Sequence, residues 1–240
     1  LKFRNEFEEE DINAAFAGGG AEYSKTLMCG EHLWFELQWR PIAGRWIQPD
    51  QEPKAEDLIV RAIPVCGSRA LILSPEDNLL HVCVHTAKHT FVRAPGFRLH
   101  TDVDRIVTGQ EINWAVFTNR VKQLRIRTAV FLSLDMAREL LGTPIPAEVL
   151  KQIAPAAWKI RLMKTWLDRV GIFNPDRNKW SNLGYIVFVS LLYDGLSDMV
   201  KGIFPSAAEM KKHNDGVTGY NLPLYYIRRV LRLAFRRTGI

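Results

Sequence analysis

Glu36 is the residue that most invites a chemical reading. It lies inside Leu33-Trp34-Phe35-Glu36-Leu37-Gln38-Trp39. The alternation predicts a strand over His32–Trp39, with Leu33, Phe35, Leu37 and Trp39 on a packed face and Trp34, Glu36 and Gln38 on the other. Glutamate packs poorly in strand interiors. A strand does hold a carboxylate still, which suits Mg²⁺, an ion that takes a few fixed carboxylates plus substrate phosphates. The competing reading is an edge-strand glutamate facing water, since one side of an antiparallel sheet is often wet.

His81, His85 and His89 follow at i, i+4 and i+8, which strings them along one helix face. Two histidines at i, i+4 can chelate zinc. The metalloprotease pattern requires Glu after the first histidine, and Val82 and Thr86 stand there instead. No adjacent His-Asp pair occurs, which excludes that phosphohydrolase signature. Three readings stay open: local hydrogen bonds beside a helix seam, contact with a phosphate or substrate, and metal ligation. Asp102 and Asp104 fall in the next predicted helix, about 200° apart around its axis, so they are no acid/base couple. Asp102 can pair with a histidine of the preceding helix. The last helix carries Arg228, Arg229, Arg232, Arg236 and Arg237 among Leu224, Ile227, Leu231, Leu233 and Phe235. Such a helix either packs with a solvated basic face or binds an anionic membrane or nucleic acid. No P-loop, GxSxG or dinucleotide glycine pattern is present.

The elements that position these residues change character near residue 74. Residues 2–16 are predicted helical, ending at Gly18-Gly19-Gly20. Strands are expected over Tyr23–Met28 and His32–Trp39, joined by a loop at Cys29-Gly30-Glu31. Residues 48–57 read as a loop, and Leu58–Val65 with Ala70–Leu73 as a second hairpin around Cys66-Gly67-Ser68. Ser74 then caps a helix with Pro75 in its first turn and Asp77 placed to close a capping box. That helix runs to about Phe91. Further helices are expected near 98–108, 112–124, 126–141, 146–152, 156–170, 180–200, 206–212 and 222–237, with C-terminal caps at Gly109, Gly142 and Gly171. The fold class is α+β: a small antiparallel sheet in residues 1–73, then a larger all-helical domain in 74–240.

The chain has 240 residues, 47% hydrophobic and 24% charged, which suits a globular protein and not a disordered one. A net charge of +6 and a pI of about 9.3 permit contact with phosphates without requiring it. The three cysteines form no CxxC pair, so a zinc ribbon is excluded; they read as semi-buried thiols in a reducing cytoplasm. The apolar run Leu183–Tyr193 is shorter than the ~20 residues of a membrane span. The start, Leu1-Lys2-Phe3-Arg4, lacks a signal peptide and an initiator Met, and the small sheet has open edges. Both features suggest an upstream segment of the same protein.

Taken in order, several segments resemble a group of bacterial uncharacterised nucleotidyltransferases related to the polymerase-beta superfamily. Leu33–Trp39 resembles the family strand of the form apolar–acid–apolar–His–Trp, with Gln38 in the histidine position. Leu73-Ser74-Pro75-Glu76-Asp77-Asn78-Leu79-Leu80-His81, followed by His85 and His89, resembles its Leu-Ser-x-Glu-Asp helix. Asp102 stands where the family has an aspartate in the next helix. Phe204-Pro205-Ser206 and Tyr225–Arg229 are similar to its closing segments.

The resemblance implies Mg²⁺-dependent transfer of a nucleotide from an NTP to an unknown acceptor, a small molecule or a protein. Glu36 would be one metal ligand and catalytic carboxylate. His81, His85, His89 and Asp102 would line the substrate side. The family's Asp-x-Asp strand is not found here, so this chain is expected to be inactive alone, its site completed by the upstream segment. The alternative is a non-catalytic helical module binding a nucleotide, polyanion or protein. A membrane partner is not favoured, nor is nucleic acid.

Overall fold

The computed structural model describes residues 4–5, 19–42, 47–89, 97–171, 182–212 and 218–235. The architecture is α+β, with two small antiparallel sheets preceding a run of helices. Arg4–Asn5 (β1), Gly20–Thr26 (β2) and His32–Gln38 (β3) form the first sheet in that order. Arg4 and Asn5 pair with Ser24 and Tyr23, which corrects the helix expected over 2–16 at those two residues. The rest of that helix lies outside the described residues. At Arg4 and Asn5 a pairing edge on β2 satisfies the backbone better than helix propensity does.

The β2–β3 hairpin runs in register from Thr26↔His32 to Gly20↔Gln38. Its loop closes through the Leu27 amide on the Glu31 carbonyl at 2.7 Å and the Gly30 amide on the Leu27 carbonyl at 3.0 Å. At the other end the Trp39 and Arg40 amides both donate to the Gly19 carbonyl at 3.0 Å. Gly19 has φ +84°, and a Cβ there would lie 2.5 Å from the Arg40 side chain, so only glycine fits. The face expected to be packed is not: Leu33, Phe35 and Leu37 are 46%, 51% and 49% exposed. The reason is that, among the described residues, the hairpin packs extensively only on itself and β1.

Leu58–Val65 is not a strand over its length. Ala55–Arg61 forms a helix (α1), acidic at Glu56 and Asp57 in its first turn and basic at Arg61 in its last, as the helix dipole favours. Only Ile63–Pro64 (β4) is extended, pairing with Leu71–Ile72 (β5) around the expected Cys66-Gly67-Ser68 turn. Pro49–Gln51 is a 3₁₀ turn inside the span read as loop.

The helices are Pro75–His89 (α2), Phe97–Gly109 (α3), Trp114–Gln123 (α4), Arg127–Leu141 (α5), Ala147–Ile153 (α6), Ala157–Val170 (α7), Asn182–Leu192 (α8), Leu196–Ile203 (α9), Ala207–Lys212 (α10) and Leu222–Phe235 (α11). The single helix expected over 180–200 is two. Asp194 leaves the helical path and accepts the Arg127 and Thr128 amides, both at 2.8 Å, at the start of α5. Gly142 and Gly171 cap α5 and α7 in left-handed conformation, at φ +70° and +65°. Gly109 does not; it is the last residue of α3.

α5 is the axis of the helical part, buried continuously from Thr128 to Ala137. α2, α3, α4 and α6 pack against it, with Leu79, Leu80, Val84, Val103, Phe117 and Ile153 in the shared core. Lys159 of α7 is buried with its ammonium donating to the Tyr193 carbonyl and to Thr128 Oγ1, and burial pushes its pKa down.

Asp77, 1% exposed, ties the small sheets' side of the chain to the helices. Its amide donates to Ser74 Oγ at 3.3 Å, the expected cap. Its carboxylate accepts the Ser74 hydroxyl at 3.1 Å, Arg61 Nε at 2.7 Å and Nη2 at 3.2 Å, and Arg120 Nη1 at 3.0 Å. The bond to Asp77 raises the Arg61 pKa. Asp77→Ala is expected to cost about 3 kcal/mol in urea unfolding, the low end for a broken buried pair because both arginines reach water. Arg61→Met is expected to cost less, about 1–2 kcal/mol, since Arg120 still pairs the carboxylate.

Candidate functional site

Glu36 is mid-strand on β3, as expected, and the register places Glu22 of β2 directly across from it. Cross-strand partners lie on one face of a sheet. Ser24↔Trp34 and Gly20↔Gln38 flank the pair on the same face. Glu22 is the residue that reading along the sequence missed. The signal was available: pairing outward from a turn centred on Cys29 sets residue 22 against residue 36.

The histidines form a continuous stripe on α2. The His81 and His85 ring centroids are 5.9 Å apart and the rings nearly parallel at 19°. Those of His85 and His89 are 4.3 Å apart and tilted by 46°. All three are half-buried, beside the fully buried Leu80, Val84 and Ala87. The Ser133 hydroxyl of α5 donates to the Cys83 carbonyl at 2.7 Å, which fixes the rotation of α2 and so the direction of the stripe.

Asp102 is half-buried on α3, which packs on α2. Among the described residues it has no hydrogen-bond or ion-pair partner, so the expected pairing with a histidine is not formed. Asp104 accepts the Thr143 hydroxyl at 2.7 Å and anchors the segment after α5. The two aspartates thus serve different surroundings, as their spacing required. The structure therefore groups the three histidines with one another. It does not gather Glu36 and the stripe onto one packed element pair, because β3 packs on β2.

The closing segments of the sequence meet each other. Tyr226 donates its hydroxyl to the Pro205 carbonyl at 2.6 Å, and Arg229 donates to the Ile203 and Gly202 carbonyls at 3.1 and 3.0 Å. The two Arg229 bonds satisfy carbonyls at the end of α9. Arg229 is thus spent on the fold while Arg228 is exposed. Arg236 and Arg237 lie outside the described residues.

Magnesium calls for hard oxygen ligands held in near-octahedral geometry. Among the described residues no group of three or more His, Cys, Asp or Glu side chains is placed to hold a metal ion. Those residues do not fit a complete magnesium site. No helix of the described residues is long and apolar enough to cross a membrane.

The model of an uncharacterised nucleotidyltransferase family matches residues 5–142, from β1 to the cap of α5, and the chain belongs to that family. No curated protein and no solved structure matches the chain.

The thiols separate cleanly. Cys29 and Cys66 are exposed, whereas Cys83 is fully buried and its pKa is pushed up by that burial. Titration of the native protein with a thiol reagent should consume two equivalents, and the third only in denaturant.

Proposed function

We propose that the complete protein transfers a nucleotidyl group from an NTP to an acceptor, a small molecule or a protein, with Mg²⁺. The observation that carries this reading is the family match over residues 5–142, which spans the hairpin, the Asp77 node and the histidine stripe. In this reading Glu36 supplies one catalytic carboxylate to the ion, with Glu22 beside it in register. The remaining carboxylates come from outside the described residues. His81, His85, His89 and Asp102 line the substrate side. The division into a partial transferase core (1–73) and a helical domain (74–240) belongs to the same reading. The Arg61–Asp77 and Arg125–Asp50 pairs then tie the two together.

Transfer to a hydroxyl demands that the ions, the α-phosphate and the nucleophile be held in line, which one strand position cannot do. The 240-residue chain alone is accordingly inactive.

The test uses the full gene product, its Glu36→Ala form and the 240-residue chain, each incubated with radiolabelled NTPs, Mg²⁺ and cell extract as acceptor source. Labelling by the full product, a fall of at least 100-fold on Glu36→Ala, and none by the chain alone is the expected pattern. Equal labelling by the first two removes Glu36 from the mechanism. Labelling by the chain alone overturns the incomplete-site reading.

A further inference from the structure

We propose that His85 and His89 form a two-nitrogen site for a first-row transition-metal ion of the Ni²⁺ or Cu²⁺ kind. The inference is independent of the transfer reading, because it rests on imidazole nitrogens of α2 and not on the carboxylates of the hairpin.

The geometry of the rings selects the pair. A metal bonded to imidazole nitrogen at about 2.0–2.1 Å lies roughly 3.2 Å from the ring centroid. The His85 and His89 centroids, 4.3 Å apart, then subtend roughly 85° at the ion, the cis angle of an octahedral or tetragonal site. The rings are tilted by 46°, so they can turn toward a common point. His81 fails the same arithmetic. Its centroid is 5.9 Å from that of His85, which would subtend about 135°, neither the cis nor the trans angle of an octahedral or tetragonal site. Its ring is also nearly parallel to that of His85, at 19°.

The scaffold suits the task. Leu80, Val84 and Ala87 are fully buried and hold α2 against the core, while both rings keep access to solvent. Ligands one turn apart on a held helix are preorganised. Coordination uses one nitrogen of each ring, leaving the other to hydrogen-bond a neighbour, as metal-bound histidines generally do. Nitrogen donors favour borderline ions over Mg²⁺. With two protein ligands the other coordination positions fall to water or to an anionic oxygen of a bound molecule.

The test is calorimetric titration of the untagged 240-residue chain with NiCl₂ at pH 7.5. One equivalent should bind. His85→Ala and His89→Ala should each weaken binding at least 10-fold, and His81→Ala less than 2-fold. Should either alanine variant lose its circular-dichroism spectrum, His85→Gln or His89→Gln replaces it, with the same loss expected. Absence of binding, binding unchanged by His89→Ala, or equal weakening by His81→Ala overturns the pair.

Discussion

One buried carboxylate decides how the first helices of this chain sit together. Asp77 occupies the first turn of α2, where the helix dipole and the Ser74 cap already favour negative charge. Arg61 from α1 and Arg120 from α4 then complete its shell. Taking a carboxylate out of water is costly, and the donors that meet it offset that cost. The same condition works in reverse. α1 and α4 can approach α2 in only one way if both guanidinium groups are to reach those two oxygens. Asn113 adds a second tie, its amide donating to Glu76 at 2.9 Å. Asp77 ties the start of α2 and the Ser133 bond to the Cys83 carbonyl ties its middle, and together they set the side of the helix on which the histidine stripe lies.

The hairpin is built on a different principle. Its strands are specified by alternation and by a five-residue loop, and its register follows from the turn. Its apolar side chains are nonetheless half exposed on β3, and β3 is the outer strand of its sheet. The helical part buries its apolar surface around α5. The hairpin holds its backbone in order without a comparable core among the described residues. The segment between the hairpin and α2 meets the helices through Arg61–Asp77, Arg125–Asp50 and Gln51 Nε2 donating to the Arg125 carbonyl at 3.1 Å, and through Ile42 and Ile47, which are buried in the helical core.

Local signals carried much of this. Ser74-Pro75 announced the start of α2, Gly142 and Gly171 announced helix ends, and alternation around Glu36 announced β3. What failed was decided by distant partners. Leu58-Ile59-Val60 reads as β-branched strand, yet the charges at Glu56, Asp57 and Arg61, and the reach of Arg61 to Asp77, favour a helix. The break at Tyr193–Gly195 is invisible in an apolar run, because its cause is the pair of amides that Asp194 meets on α5. The place of Glu36 on β3 and the shared helix face of the three histidines were legible by spacing. Glu22 was not, because a single strand read alone does not disclose its partner. Asp102 was legible as a position, but its expected histidine partner is not there.

Arg125 joins α4 to α5 in the left-handed conformation, at φ 56°, which a residue with a Cβ adopts at a cost of about 1–2 kcal/mol. Its side chain reaches Asp50, 75 residues earlier, and Asp198, 73 residues later, while Asp194 caps the amides that follow it. The central helix is therefore finished by residues synthesised long after it. A nascent chain emerging only as far as Gly142 has its core helix but neither Asp194 nor Asp198 to settle its first turn. Closing such long loops comes late and slowly, so the segment that defines the family completes its own axis only when the chain beyond it has arrived.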